Sequence, residues 1–184
     1  MLEKIKRDLR IKCLKKRELV ENKVNKEKKI FAKLKELLNC NGVTVAVYYS
    51  TKSEVNLTNF VNFMHKNQQK ILLPFIGKKN SPLLFKEWIA KDKLKKGKYG
   101  IMTPSINVYA TPKILIVPML AFDVNKERLG YGGGYYDRTI SFLEKNSKIL
   151  KFGVAFDEQE IEKVPIMSLD KKMDLILTPT KIII

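Results

Sequence analysis

The chain has 184 residues, of which 45% are hydrophobic and 30% are charged, a balance that predicts one globular domain and excludes a disordered or collagen-like protein. Its two cysteines, Cys13 and Cys40, and its single histidine, His65, support neither a disulfide framework nor a thiol- or histidine-based metal centre. The formal net charge of +17 is uneven, because residues 1–40 and 66–98 each carry +8 and the remainder is close to neutral.

The sequence has no segment that predicts membrane insertion or export. The longest apolar run, Ile114–Phe122, has nine residues and contains Pro118, which is far too short to span a bilayer. Glu3 and Lys4 closely follow Met1, and no apolar signal-peptide core comes after them. We therefore expect a cytoplasmic protein without a membrane partner.

Residues 1–40 predict a pair of helices. A helix over 2–21 has one apolar stripe when its residues are placed at about 100° intervals, formed by Leu2, Ile5, Leu9, Cys13 and Val20. Lys6, Arg10 and Arg17 lie together on an adjoining stripe, and Arg7 points elsewhere. A second helix is predicted over 26–39. Without further information, a basic stripe of this kind indicates a solvated helix face.

The rest of the chain alternates strands with helices. Apolar, β-branched runs predict strands at 43–49, 71–75, 84–89, 114–118, 149–156, 175–178 and 182–184. Helices are predicted over 55–66 and 135–143, a basic connector at 91–97, a loop at 119–134, and a turn or short helix at 158–161. This order predicts a single three-layer α/β/α domain over 1–184, with a largely parallel, mixed sheet on which the N-terminal helical pair packs.

The segment 128–138, Arg-Leu-Gly-Tyr-Gly-Gly-Gly-Tyr-Tyr-Asp-Arg, lies where a loop is predicted to enter a helix. Backbone amides at such a junction can approach an anion closely, and the helix dipole favours its negative charge. Arg128 and Arg138 flank the segment and are two of only five arginines among 36 basic residues, and a guanidinium suits bidentate phosphate binding. The spacing fits neither a Walker loop nor a dinucleotide-binding loop. The segment therefore indicates anion binding, although its glycines could also serve only to permit tight turns.

Arg128–Asp137, preceded by Phe122 and Asp123, resembles the signature of the 5-formyltetrahydrofolate cyclo-ligase family. Further stretches match the family in order, namely Lys6–Arg10, Val45–Ser50, Ser53–Val55, Tyr99–Pro104, Val164–Pro165 and Asp170. The resemblance implies a ligase that converts 5-formyltetrahydrofolate to 5,10-methenyltetrahydrofolate, using ATP as co-substrate and Mg²⁺.

The resemblance also implies roles for individual residues. ATP would be bound by Lys6, Arg7, Asp8, Leu9, Arg10, Arg128, Leu129, Gly130, Tyr131, Gly132, Gly133, Gly134, Tyr135 and Tyr136. Within that set, Lys6, Arg10 and Arg128 would be catalytic; Asp137 and Asp170 would hold Mg²⁺; and Tyr49 and Glu54 would contact the folate.

Each of these assignments has a structural alternative. Asp137 could pair with Arg138 or cap the following helix, and Asp170 could be a turn residue. Glu54 could be a helix N-terminal charge, and Tyr49 could serve packing. Alanine at Gly133 is expected to be damaging if that position has a positive φ or lies against phosphate.

Other functions remain open from the sequence. The basic charge could belong to an RNA- or DNA-binding module, although no nucleic-acid motif is present, and we expect no specific nucleic-acid partner. A family relative with a changed acceptor is also open, because Asn56 and Thr103 depart from the family's usual residues. The lysines of 66–98 could attract an anionic polyglutamate tail on the folate. We expect a monomer.

Overall fold

A computed structural model describes residues 1–38, 42–97 and 100–184. Cys40, and Tyr99 at the start of one matched stretch, lie outside the described residues. The helices are α1 (Leu2–Glu18), α2 (Lys23–Leu37), α3 (Thr58–Lys66) and α4 (Tyr135–Asn146). Among the described residues, no helix has the length and apolar character needed to cross a membrane.

The strands are β1 (Val45–Ala46), β2 (Ile71–Phe75), β3 (Leu84–Glu87), β4 (Leu94–Lys96), β5 (Met102–Pro104), β6 (Ile114–Pro118), β7 (Ala121–Phe122), β8 (Arg128–Leu129), β9 (Leu150–Val154), β10 (Leu175–Leu177) and β11 (Ile182–Ile183). Seven of them form one sheet in the order β11-β10-β9-β6-β1-β2-β3. The five inner strands are parallel, and the edge strands β3 and β11 are antiparallel to their neighbours. The predicted mixed, largely parallel sheet is confirmed.

The chain order within the sheet places a crevice between β1 and β6. From β1 the chain continues to β2 on one side, and from β6 it continues to β9 and β10 on the other. Open α/β sheets bind ligands outside the carboxyl ends of their strands at such a reversal of strand order. The loops that follow β1 and β6 are therefore the expected walls of a binding site.

Helices cover both faces of the sheet, which confirms the three-layer prediction. Alternate residues of each strand point to opposite faces, so Val45 and Val47 pack with Ile30 of α2 and Phe60 of α3. Ala46 packs on the other face, in a cluster that includes Ile140 and Leu143 of α4.

Two predicted irregular segments contain strands. The connector 91–97 includes β4, which pairs with β5, and the loop 119–134 includes the β7–β8 hairpin. These predictions were wrong because strands of two or three residues carry too little alternation to be recognised and are defined by their pairing. The β7–β8 hairpin matters to the site, since Cys13 of α1 packs against it.

The buried face of α1 differs from the predicted one. Leu2 and Ile5 are exposed, whereas Lys6 and Arg17 are buried together with Cys13. The stripe of Lys6, Arg10 and Arg17 therefore faces the protein, and the alternative of a solvated helix face does not hold.

Candidate active site

A cavity of about 970 Å³ opens at the carboxyl edge of the sheet. Its walls come from α1, the segment after β1, the end of β2, the glycine-rich segment and the first turn of α4. The volume lies at the upper end of the range for ligand pockets. The fold thus brings most of the sequence-predicted site residues, from distant parts of the chain, around one cavity.

Helix α1 contributes cations to one wall. Lys6 is 4% exposed and forms an ion pair with Asp170, and Arg10 donates from Nε to the carbonyl oxygen of Gly130 at 2.9 Å. Arg7 lines the same cavity with an exposed side chain.

Two predicted nucleotide-binding residues of α1 are not part of the wall. Asp8 is exposed, with its carboxylate 3.6 Å from the Arg7 guanidinium. Leu9 packs on the apolar cluster of Cys13 and the β7–β8 hairpin. Neither side chain is among those that line the cavity.

The glycine-rich segment 130–134 forms the part of the wall that lies against Arg10 of α1. Gly132 has φ +92°, and a Cβ atom there would lie 3.0 Å from Cζ of Arg10. Gly134 has φ +63° and precedes the first turn of α4. The left-handed positions are therefore Gly132 and Gly134, so backbone strain at Gly133 is not a reason for alanine to be damaging there. Free amides at the start of α4 make this wall suitable for an anion.

Two carboxylates lie among these cations. Asp137 accepts through Oδ1 from Arg128 Nη2 at 2.6 Å and from the backbone N–H of Lys171 at 3.1 Å. Asp170 accepts through Oδ2 from Lys6 and from the backbone N–H of Met167. The alternative pairing of Asp137 with Arg138 is not formed, because Arg138 donates to the carbonyl oxygen of Gly133 at 2.8 Å.

The donor set fits a magnesium ion that is shared with phosphate. Among the described residues, the second carboxylate oxygen of Asp137 and that of Asp170 take no hydrogen bond. The part of the chain that the structure describes has no cluster of three or more His, Cys, Asp or Glu side chains that could hold a metal by itself. Protein-bound Mg²⁺ commonly uses one or two carboxylates and completes its shell with phosphate oxygens and water.

The segment after β1 forms the remaining wall. Tyr49 is half-exposed, and its ring centroid lies 6.5 Å from that of Trp88. Glu54 accepts through Oε1 from the Tyr131 hydroxyl at 2.9 Å and through Oε2 from the Thr51 backbone N–H at 2.8 Å. Tyr49 and Glu54 thus line the same cavity as Lys6.

The sequence-based site assignment left out Arg17, which lies behind the cavity, and lining residues such as Lys52 and Lys79. The Arg17 side chain is 1% exposed and donates from Nε to Ser53 Oγ at 3.1 Å and from Nη1 to the Met119 carbonyl oxygen at 3.2 Å. Its Nη2 donates to the Tyr131 hydroxyl at 2.5 Å. The available signal was its place on the same stripe as Lys6 and Arg10, occupied by arginine in a chain that otherwise uses lysine.

The phenols beside these charges remain protonated at neutral pH. Burial raises the pKa of Tyr131 to about 12, with the negative charge of Glu54 acting in the same direction and the Arg17 hydrogen bond opposing it. Burial also raises the pKa of Tyr136, with a further contribution from Glu54. The Tyr131 hydroxyl is therefore a donor to Glu54 and an acceptor from Arg17 over the physiological range.

Comparison with known proteins shows which family this chain resembles. A sequence model of the 5-formyltetrahydrofolate cyclo-ligase family matches residues 3–179. The 5-formyltetrahydrofolate cyclo-ligase of Escherichia coli (strain K12) is 30% identical over 145 residues, covering 76% of this chain and 79% of that protein.

Solved structures agree. The NMR structure of Aquifex aeolicus 5,10-methenyltetrahydrofolate synthetase superposes with a TM-score of 0.82 at 30% identity, covering 97% of this chain and 91% of that one. The 5,10-methenyltetrahydrofolate synthetase from Mycoplasma pneumoniae gives a TM-score of 0.76 at 25% identity, covering 95% and 98%.

Proposed function

The chain belongs to the 5-formyltetrahydrofolate cyclo-ligase family and is a ligase, and we propose that it uses ATP to convert 5-formyltetrahydrofolate to 5,10-methenyltetrahydrofolate, ADP and phosphate. The observation that carries this proposal is the convergence of Lys6, Arg10 and Arg128 on the glycine-rich segment, in the cavity that Tyr49 and Glu54 also line.

The reaction needs activation of an unreactive group. A formamide carbon is a poor electrophile, and its oxygen is a poor leaving group. Transfer of the γ-phosphoryl group to the formyl oxygen gives an iminium phosphate and releases ADP. The N10 nitrogen of the folate then forms a bond to the formyl carbon and loses its proton, and the carbon–oxygen bond breaks to release phosphate.

Phosphoryl transfer of this kind depends on positioning and on cations around the phosphates rather than on a protein nucleophile. Lys6, Arg10 and Arg128 supply those cations, and the amides of the glycine-rich segment 130–134 and of the first turn of α4 supply hydrogen-bond donors. In the proposed complex, the phosphates replace the carboxylates and the carbonyl oxygen that now accept from these side chains.

Asp137 and Asp170 are the proposed holders of Mg²⁺, which when bound supplies positive charge to the phosphate oxygens. Each carboxylate also sets the position of one cation, since Asp137 pairs with Arg128 and Asp170 pairs with Lys6. The carboxylates therefore hold these cations in place before the nucleotide arrives.

Tyr49 and Glu54 are the proposed folate contacts. The half-exposed ring of Tyr49 offers a surface for stacking, and the Glu54 carboxylate offers acceptors to the N–H groups of a pterin. Lys52 and Lys79 line the same cavity and would attract a polyglutamate tail. Steady-state kinetics would then show a KM that falls with glutamate number at low salt and loses this trend at high salt.

The experiment that tests the reaction follows the absorbance band of the methenyl folate. Purified protein is mixed with 5-formyltetrahydrofolate, Mg²⁺ and ATP, and each component is omitted in turn. A rise in absorbance that needs every component is expected. No rise with ATP still bound would indicate a different acceptor, and folded protein with neither property would contradict the proposal.

Single substitutions test which residues contact the nucleotide and which contact the folate. Arg128→Ala is expected to raise the KM for ATP more than the KM for the folate, and Glu54→Ala is expected to do the reverse. Equal effects of both substitutions on both KM values would contradict the assignment of sides.

A further inference from the structure

Arg17 lies behind the cavity and connects α1 to three separate segments that border it. Its guanidinium donates to Ser53 after β1, to the Met119 carbonyl oxygen after β6, and to the hydroxyl of Tyr131 in the glycine-rich segment. It also lies over the Tyr131 ring, with Cζ 5.5 Å from the centroid. One buried side chain thus fixes both loops at the β1–β6 crevice and the glycine-rich segment.

Among the described residues, the charge of Arg17 has no direct anionic partner. None of the ion pairs formed by the described residues includes it. A buried, uncompensated cation is costly, and the carboxylate connected to it by hydrogen bonds is Glu54, through the Tyr131 hydroxyl. The Tyr131 hydroxyl therefore connects the positive charge of Arg17 to the negative charge of Glu54.

This phenol belongs to the segment proposed to bind phosphate. Tyr131 lies between Gly130, whose carbonyl oxygen accepts from Arg10, and Gly132, which lies against the Arg10 guanidinium. Any shift of the glycine-rich segment on nucleotide binding moves the Tyr131 hydroxyl relative to Glu54. Arg17 limits that movement because its other two bonds hold it to the crevice.

We propose that Arg17 is a positioning residue that couples the binding of the two substrates. When the nucleotide orders the glycine-rich segment, Arg17 holds the Tyr131 hydroxyl in the place where it orients Glu54 for the folate. This inference rests on the proposed function. Because coupling between two ligands is reciprocal, the nucleotide strengthens folate binding by the same factor by which the folate strengthens nucleotide binding.

Calorimetry without turnover tests the coupling. The dissociation constant of 5-formyltetrahydrofolate is measured with and without saturating Mg²⁺–adenylyl imidodiphosphate, which does not transfer its terminal phosphoryl group. In the wild type, the nucleotide is expected to tighten folate binding about tenfold, within the usual range for coupled sites. The coupling ratio is the folate dissociation constant without nucleotide divided by that with nucleotide. In Tyr131→Phe, which removes only the bridging hydroxyl, this ratio is expected to fall below about twofold.

Tyr49→Phe is the matched control. It removes a phenol hydroxyl from the same cavity wall but leaves the Arg17–Tyr131–Glu54 connection intact. Its folate affinity can change, but its ratio is expected to stay at the wild-type value. Loss of the ratio in this control would overturn the inference, since the effect would then not be specific to the bridging hydroxyl.

Arg17→Lys extends the test to the buried cation itself. Lysine keeps the charge but cannot donate in three directions with guanidinium geometry, so the ratio is expected to fall as in Tyr131→Phe. Because Tyr131 is 48% exposed, its variant decides the question if Arg17→Lys does not fold.

The outcomes separate this inference from the proposed function. A wild type that binds neither ligand contradicts the proposed function, and the inference with it. A wild type that binds both ligands without coupling, or a Tyr131→Phe variant with the wild-type ratio, overturns the inference alone.

Discussion

The two N-terminal helices are both rich in lysine, but they bury different kinds of side chain. The residues that α1 buries are Lys6, Cys13 and Arg17, whereas those that α2 buries are Ile30 and Leu34. Helix α2 packs on the apolar face of the sheet. Helix α1 joins the β7–β8 hairpin through a small apolar cluster and reaches the cavity with its cations.

This difference shows that the net charge of a basic helix does not predict whether its cations face solvent or a binding site. The cations of α1 lie at the cavity because they have acceptors there, namely Asp170, the Gly130 carbonyl oxygen and the Tyr131 hydroxyl. The lysines of α2 are exposed or half-buried, because its apolar residues already occupy the face toward the sheet. Stability should therefore depend most on α2, and activity most on α1.

The largest expected effect is on stability and comes from α2. Leu34 is fully buried, so Leu34→Ala should lower the free energy of unfolding by about 3 kcal/mol through lost burial and a residual cavity. Denaturant unfolding measures the loss, with the exposed Lys28→Ala as a control that should change little. A large fall in kcat per folded molecule would contradict the division of roles between the helices.

The next effect concerns the buried lysine of α1. Lys6→Met keeps the aliphatic volume but removes the charge, and should raise the KM for ATP roughly tenfold to hundredfold, the cost of one hydrogen bond to a charged group. Lys12→Met, on the exposed side of the same helix, is the matched control. An equal rise in both variants would mean that only the overall charge of α1 matters.

Glycines near the two helices offer a sharper test. Gly132→Ala places a Cβ at φ +92° and 3.0 Å from Arg10 Cζ, whereas Gly42→Ala, after α2, meets no atom within 4 Å at φ +79°. Both substitutions should cost about 1 kcal/mol of stability from backbone strain. Only Gly132→Ala should also raise the KM for ATP, by about fivefold. Equal KM values in steady-state assays of the two variants would show that the Arg10 contact has no role.

The smallest effect is a pH dependence on α2. Burial raises the pKa of Glu27 from its ordinary value of 4.5, against the opposing hydrogen bond from the Asn56 N–H and the charge of Lys23. The folded state therefore binds this proton more tightly than the unfolded chain, so the contribution of Glu27 to stability is fully present below pH 4.5 and is lost as the pH rises through the folded-state pKa.

Glu27→Gln removes that titration and keeps an acceptor for Asn56. Relative to this variant, the wild type should lose stability as the pH rises above 4.5, by less than about 1 kcal/mol because solvent screens the half-exposed group. Thermal melts across this range measure the difference. A wild type that gains stability relative to the variant would reverse the sign of the inferred shift.

The sheet could be predicted because its strands are long or strongly apolar. Ile71–Phe75 and Ile114–Pro118 were predicted at their observed bounds, since buried parallel strands are continuous apolar runs. The β4–β5 and β7–β8 hairpins were missed because residues such as Lys95, Lys96 and Arg128 do not indicate strands on their own. Pairing that forms only in three dimensions defines them.

The site was predictable where chemistry and local pattern coincide. Glycines between a strand and a helix indicate an anion loop, and that loop lies in the cavity wall. The buried face of α1 was not predictable from periodicity, since a stripe of cations that meets buried acceptors has the same pattern as one that meets water. The Tyr131 hydroxyl is hydrogen-bonded to Glu54, which is 77 positions away in the sequence, and to Arg17, which is 114 positions away. No local pattern encodes such contacts.

The distance along the chain between α1 and its partners has a consequence for biosynthesis. Lys6 pairs with a carboxylate 164 residues later, and Arg10 with a carbonyl 120 residues later. During synthesis, α1 is therefore made well before the residues that accept its hydrogen bonds. The cavity can be completed only after those later segments exist, because contacts so distant in sequence form only after large loops close.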